Sequence, residues 1–344
     1  EMLTELGPEI TEKYFPTDPV RTLRPDPRVD LQGIDNHVIE TYRRATEIPN
    51  LHSQDASNNW VVDGELSATG RPLLASDPHR SVNLPSLRYL VHLIAPGWNV
   101  IGSGEPALPG VALGHNKRVG WGFTIVQYDQ VDLYVEQTNP ENPRQYLYQD
   151  DWLDMETETE SINVKGQDPV QVELKFTRHG PIIWEDPKNP RVVAVRWVGM
   201  EPGTAGYLGS LAMDRVQDWD GFVAAMSRWK IPAENIVYAD IDGDIGWIPA
   251  GLMPIRDNWL GLLPIPGHTA EYEWSGFRTV DQLPRVKNPA EHFVATSNHN
   301  ILPRDYPFDL GFDWTPPYRF HRVHEVLTQG RKFTIEDFKK LQHD

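Results

Sequence analysis

From Ser57 onward, short apolar runs are cut apart by glycine and proline so regularly that no long helix can form there. The chain holds 26 Gly and 30 Pro in 344 residues. The runs Trp60–Val62, Leu73–Ala75, Asn99–Ile101, Val111–Leu113, Trp121–Ile125 and Val131–Val135 each read as a strand bounded by turn formers. Between about residues 139 and 200, Ser161–Val164, Val170–Phe176, Pro181–Trp184 and Val192–Trp197 continue the pattern as a β-rich excursion. Helical spacing returns at Trp219–Trp229, where Phe222, Val223, Met226 and Trp229 share a face. Strands follow at Asn235–Ala239, Ile245–Pro249 and Phe293–Thr296, then helices near Arg319–Gln329 and Thr334–Gln342. The pattern predicts an α+β fold in which strands dominate.

Residues 1–56 are different. Pro16, Pro19, Pro25 and Pro27 interrupt regular structure, Val38–Ala45 could form a short helix, and Ile48–Ala56 is polar and turn-like, a segment suited to cutting. The length fits two domains, or one large domain with an insertion. The start, Glu1–Glu5, lacks the basic and apolar features of a signal peptide. Lys340–Asp344 ends inside a helical pattern, so the chain reads as part of something longer.

The charge balance is 32 Lys and Arg against 49 Asp and Glu, a net −17. Phosphate backbones would repel such a chain, which argues against a nucleic-acid partner. Apolar runs such as Val91–Ala95 are far too short to span a bilayer as a helix. Twelve Trp within a 39% hydrophobic composition supply enough apolar mass for a sizeable core. With no cysteine, there is no disulfide framework, thiolate metal site or cysteine nucleophile. Three other motifs lead nowhere. Asp240-Ile241-Asp242-Gly243-Asp244 resembles the start of a calcium loop, but no Glu follows to close it, and a hairpin turn accounts for it better. Gly102-Ser103-Gly104 lacks the strand-turn-helix setting of a nucleophile elbow. The histidines never take the HExxH spacing of a zinc site.

The informative block is Ser57-Asn58-Asn59-Trp60-Val61-Val62, followed by Gly70-Arg71-Pro72-Leu73-Leu74-Ala75-Ser76-Asp77-Pro78-His79. By composition alone it could be two strands of a hairpin. Its wording, however, resembles the penicillin acylase (penicillin amidase) family of N-terminal nucleophile (Ntn) hydrolases, at the junction where the precursor is cut. The likeness continues through Pro96–Gly102, Pro109–Asn116, Val119–Thr124, Asp129–Tyr134 and Val237–Asp240. Thr296-Ser297-Asn298-His299-Asn300 and Tyr318–Val323 complete the series in the family's order. The implied fold is a four-layer αββα sandwich, two antiparallel sheets flanked by helices, with the β-rich insertion at about 139–200. On this reading residues 1–56 are the end of a first chain or linker, and 57–344 begin the nucleophile-bearing chain.

The resemblance implies cleavage between Ala56 and Ser57, with Ser57 becoming an N-terminal nucleophile in an autoprocessing N-acyl amide hydrolase. A free α-amine has a pKa of about 7.7–8.0, so it can act as base for the hydroxyl of its own residue. Many relatives carry Gly before the nucleophile where this chain has Ala56, and glycine would accommodate the strained acyl shift more easily. By resemblance the oxyanion donors are the Ile125 backbone N–H and the Asn298 side-chain amide. His79 would brace the nucleophile region, and Arg322 would neighbour the amine and the asparagine, with Arg319 one turn earlier as the fallback.

The same likeness implies a structural calcium ion held by Asp129, the Val131 carbonyl, Asp132 and Asp309. Arg80, Tyr89, Leu113 and Phe123 fall at positions lining the acyl pocket. The apolar members suit aryl or fatty acyl groups, whereas Arg80 admits acidic acyl groups or N-acyl homoserine lactones. The expected partners are a small N-acyl amide substrate and the missing first chain of the same precursor, and the expected location is periplasmic or secreted. Two rival readings stand beside the first: an acyl homoserine lactone acylase, and an uncut, non-catalytic calcium-stabilised homologue.

Overall fold

A strand beginning at Ala56 organises the part of the chain that bears Ser57. The computed structural model describes residues 2–34, 37, 38, 40, 41, 56–80, 82 and 84–344. Val38–Ala45 therefore lies mostly outside the described residues, as does Ile48–Ala56 apart from Ala56. The chain divides into two units. One comprises Asp129–Met200 and Pro254–Gly276 with the described part of Glu1–Pro49; the other comprises the described parts of Asn50–Tyr128, Glu201–Met253 and Phe277–Asp344.

In the second unit, Ala56–Val62 is the middle strand of a three-stranded antiparallel sheet, between Leu73–His79 and Phe293–Thr296. Side chains alternate across a strand, so Trp60 and Val62 face one way and Asn59 and Val61 the other. Trp60 and Val62 pack with Phe293, Val323, Leu327 and Phe338 beneath the helices Tyr318–Leu327 and Ile335–Gln342. Val61 and Val294 meet Val237, Ala239 and Trp247 of a second sheet. That sheet has seven strands in the order Val286–Lys287, Ile245–Ala250, Glu234–Asp240, Val119–Ile125, Leu113–Asn116, Trp98–Gly104 and Tyr89–Ala95. Its far face carries Trp121, Phe123, Ile236 and Tyr238, which pack with Trp219, Phe222, Met226 and Trp229 from the helix Trp219–Met226 and the turn after it. Within this unit helices therefore pack against each of the two sheets. Trp60 is fully buried, and truncating a core Trp to Ala costs about 3–5 kcal/mol.

One glycine sets the spacing of the two sheets. A Cβ on Gly122 would lie 2.6 Å from the Cβ of Ser76, closer than side-chain carbons approach, so only glycine lets the sheets meet there.

The sequence-based boundaries shift in physically readable ways. Asp218 caps the helix at Trp219, its side chain accepting from the Gly221 N–H at 2.8 Å, and the helix stops at Met226 rather than Trp229. Val111 and Ala112 lie outside the strand, which starts at Leu113, and the Val111 N–H donates to the Asp214 carboxylate at 3.2 Å. Tyr89–Ala95 is an exposed edge strand without alternating burial, which is why pattern reading passes over it. Met2–Tyr14 is helical despite Pro8; Gly7, at φ 78, breaks it into two pieces. The Asp240–Asp244 segment is a hairpin turn, as its composition suggests: one Asp240 oxygen accepts from Asp242, Gly243 and Asp244 N–H at 2.9, 2.9 and 3.0 Å.

The first unit holds a six-stranded sheet in the order Glu156–Ile162, Val170–Thr177, Gly180–Glu185, Arg191–Trp197, Val131–Gln137 and Ile265–Pro266. The last pair is parallel and the others antiparallel. Val135 and Val193 pack with Val29 and Val38 on one face, while Tyr134, Ala194 and Ile265 cluster together separately. Among the described residues no helix is long and apolar enough to cross a membrane.

Candidate active site

The strand Phe293–Thr296 delivers Asn298 to the start of the strand Ala56–Val62. Their register pairs Asn59 with Thr296, and the chain then turns through Ser297 into Asn298. Asn298 adopts φ 63, a left-handed conformation that asparagine tolerates better than most residues. Its side chain bridges two strands of different sheets. The Oδ1 atom accepts from the Ser57 backbone nitrogen at 2.9 Å, and Nδ2 donates to the Ile125 carbonyl at 2.8 Å. Ser57 and Asn298 are both only 3% exposed.

Ile125 presents its other polar group to the same edge. The next residue, Val126, donates its N–H to the Ala233 carbonyl at 3.2 Å. Antiparallel pairing alternates, so the N–H and C=O of Ile125, opposite Glu234, both point away from that strand. The sequence-predicted donors, Ile125 N–H and Asn298 Nδ2, thus lie on one edge beside Ser57.

The arginine in this cluster is Arg319. One terminal nitrogen donates to the Ser57 carbonyl at 2.6 Å and to Asn58 Oδ1 at 2.7 Å. The other donates to the Ser297 carbonyl at 2.8 Å and to Asn298 Oδ1 at 3.0 Å. Burial lowers the Arg319 pKa somewhat, with Asp77 opposing the shift. Arg322 is corrected in placement: its side chain is 47% exposed and pairs with Asp344 at 2.6 Å and Glu325 at 3.0 Å, away from Ser57. The two arginines share a helix, but only the one in its first turn reaches the strand end.

His79 stands opposite Ala56 in the strand register and contacts Asp77 Oδ2 at 2.9 Å and Asn58 Nδ2 at 3.3 Å. It reaches the Ser57 neighbourhood through Asn58, which sequence reasoning left without a role. A further feature missed from sequence is a buried polar ladder between the sheets. Thr296 Oγ1 bonds Asn59 Oδ1 and meets Thr124 Oγ1 at 2.7 Å. Asn235 Nδ2 donates to Thr124 Oγ1 at 3.3 Å, and Asn235 Oδ1 accepts from Trp247 Nε1 at 3.0 Å. Polar residues at alternating strand positions look solvent-facing in a sequence, and the Asn-Asn pair after Ser57 was the one available signal.

The expected pocket residues are less apolar in their surroundings than their types suggest. Phe123 is enclosed by Tyr207 and Trp229, each with ring centroids 5.9 Å away, and the Arg88 guanidinium lies 5.1 Å from its ring centre. Leu113 packs at the edge of the same cluster, and Tyr89 is 40% exposed on the edge strand. Arg88 pairs with Glu105 at 3.0 Å, and the Tyr207 hydroxyl donates to Glu105 at 3.1 Å. Glu234 is fully buried beside these groups. Burial pushes its pKa up to about 8, with Arg88 and Arg80 pulling the other way. Arg80, the residue that raised acidic acyl groups, is half-buried and acts electrostatically on the buried Glu234.

The expected calcium ligands fall in both units. Asp129, Val131 and Asp132 lie in the first unit, whereas Asp309 belongs to the second. No group of three or more His, Cys, Asp and Glu side chains is arranged to hold a metal ion among the described residues. The oxygens of Asp129, Val131 and Asp132 instead face Arg256.

The comparisons with known proteins fit this geometry. The penicillin amidase family model matches residues 1–344. The chain belongs to the penicillin amidase family. The penicillin acylase 2 proenzyme of Pseudomonas sp. (strain SE83) is 31% identical over 289 residues, 84% of this chain and 37% of that protein. The acyl-homoserine lactone acylase QuiP of Pseudomonas aeruginosa is 28% identical over 358 residues, 100% of this chain and 42% of that protein. A solved thermostable penicillin G acylase from Alcaligenes faecalis aligns with a TM-score of 0.76 at 26% identity, covering 83% of this chain and 51% of that one. This penicillin amidase family member thus spans about two fifths of the two curated relatives and half of the solved chain.

Proposed function

We propose that this chain carries the nucleophile of an autoprocessing N-acyl amide hydrolase built on the Ntn αββα sandwich. Ser57 attacks the Ala56 carbonyl, the resulting ester is hydrolysed, and Ser57 is left with a free α-amine. That amine, with a pKa of about 7.7–8.0, then takes the hydroxyl proton through a bridging water as Ser57 attacks the substrate amide. The Ile125 N–H and Asn298 Nδ2 stabilise the oxyanion, the proton passes to the departing amine, and water releases the acyl group from the ester. Arg319 positions Asn298 and the Ser57 backbone.

The observation that carries this reading is the convergence on Ser57: its nitrogen held by Asn298, its carbonyl held by Arg319, and Ile125 on the adjoining edge. The substrate is a small N-acyl amide, and the rest of the precursor supplies the first chain and part of the pocket. Export to the periplasm or medium follows from the same resemblance. A second reading, acyl homoserine lactone hydrolysis, is favoured by the QuiP relative that aligns along the whole chain. A panel of chromogenic acyl amides and long-chain acyl lactones separates the two, since a lactone preference selects the second.

N-terminal sequencing with intact mass of the denatured full-length protein tests the proposal. The expected new terminus is Ser-Asn-Asn-Trp-Val, with Ser57→Ala remaining uncut and inactive. A wild-type protein that stays in one piece would overturn it and favour the non-catalytic homologue.

A further inference from the structure

The resemblance assigns Asp129, Val131 and Asp132 to a calcium ion, yet their oxygens are already organised around a cation belonging to the chain. Arg256 Nε donates to Asp132 Oδ2 at 2.7 Å, and one terminal nitrogen donates to the Asp129 carbonyl at 3.1 Å. The other reaches Asp129 Oδ1 and the Val131 carbonyl, both at 3.3 Å. One guanidinium thus engages four oxygens from three of the four expected ligands.

The carboxylate of Asp132 is crowded further. It is 2% exposed. Its Oδ1 accepts from Trp259 Nε1 at 2.9 Å, and Oδ2 accepts from Trp274 Nε1 at 2.6 Å besides Arg256. Calcium needs six to eight oxygens at about 2.3–2.6 Å, with lone pairs turned toward it. Here the lone pairs of Asp132 are directed at three N–H donors. A guanidinium stays protonated in proteins, so its charge repels a dication from the same oxygens at any working pH.

The backbone is fitted to this arrangement. Gly261, at φ +85, passes so near that a Cβ on it would lie 2.1 Å from Asp129 Oδ2 and 2.9 Å from Arg256 Cζ. The chain closes over the ion pair where a bulkier residue would force it apart.

We propose that Arg256 supplies, as a permanent part of the chain, the positive charge that the family resemblance assigns to calcium, so that this segment is held without a metal. The inference rests on the donor set alone. Its readouts are metal content and stability, so its failure is distinguishable from failure of the hydrolase reading.

The test uses the full-length protein as expressed. Metal analysis and calorimetric titration with calcium are combined with thermal melts before and after EDTA. The expected result is no stoichiometric calcium, no saturable heat and an unchanged melting temperature in EDTA. Arg256→Ala should melt several degrees below wild type, with Arg256→Lys between them because it keeps the charge but loses the fork. One equivalent of calcium on the wild type, a melting temperature that falls in EDTA, or an Arg256→Ala protein as stable as wild type would each overturn the proposal. If Arg256→Ala does not fold, the wild-type metal analysis and EDTA melt decide alone.

Discussion

Asn298 holds the backbone nitrogen of Ser57 at 2.9 Å with one end of its amide and the Ile125 carbonyl at 2.8 Å with the other. An alanine at 298 removes both contacts and, on the proposed mechanism, an oxyanion donor, whose loss costs about 10²–10³ in rate. Asn298→Ala should therefore lower kcat/KM on an acyl amide by about that factor while circular dichroism stays native. A loss of less than tenfold would remove the amide from the chemistry.

Arg319 and Arg322 provide a matched pair on one helix. Arg319→Gln strips four hydrogen bonds from the Ser57 neighbourhood and leaves buried carbonyls unpaired. It should slow self-cleavage, turnover or both by at least about tenfold. Arg322 makes only exposed surface pairs, so Arg322→Gln should match wild type in both assays. Equal effects from the two variants would contradict the geometry.

His299, next to Asn298, gives the site region an acid limit. Burial lowers its pKa to about 4, and the nearby His321 and Arg319 add to the effect. Between pH 6.5 and 4 the unfolded histidine binds a proton that the folded one refuses, so stability falls as pH drops through this window. A shift of about 2.5 pH units corresponds to at most ~3 kcal/mol. His299→Asn should show a flatter urea-midpoint profile from pH 7.5 to 4.5 than wild type. A parallel profile would place the acid sensitivity elsewhere.

Glu234 acts at the opposite end of the pH scale. Its folded pKa, raised to about 8 by burial, means the native state holds a proton that the unfolded state gives up near the ordinary carboxylate range. Stability is therefore full below the unfolded pKa and declines as pH rises through the folded one. Glu234→Gln keeps the shape without the titration and should hold its urea midpoint from pH 6 to 9 while wild type loses ground. The same variant tests pocket chemistry, because a changed preference among acyl chains would place Glu234 within reach of substrate.

The strands around Ser57 were legible because Gly and Pro frame them and apolar residues run without a break, as in Trp60-Val61-Val62 and Phe293–Ala295, filling both faces. The Tyr89–Ala95 edge strand was not, since exposure on both faces removes the alternation that marks a strand. The polar ladder from Asn59 to Trp247 was hidden for a related reason: periodicity assigns Thr and Asn to water, whereas here they pair with one another between sheets. Arg319 and Arg322 stand nearly one turn apart, so helical phase alone could not choose between them. Distance from the strand end decides, and that is a tertiary fact. Arg256 lay beyond reach because nothing in its local sequence announces that it turns toward Asp129 and Asp132.

Ala56 is the first residue of the strand that continues into Ser57; Leu73–His79 pairs with this element from Ala56 to Val62, and Phe293–Thr296 pairs with it from Asn59 to Val62. Most new chain ends fray, unless secondary structure ties them down. A break before Ser57 would create an end already fastened at its carbonyl by Arg319 and at its nitrogen by Asn298. Maturation would then change covalent connectivity with little loss of order, and the newborn terminus would begin its working life anchored rather than waiting to settle.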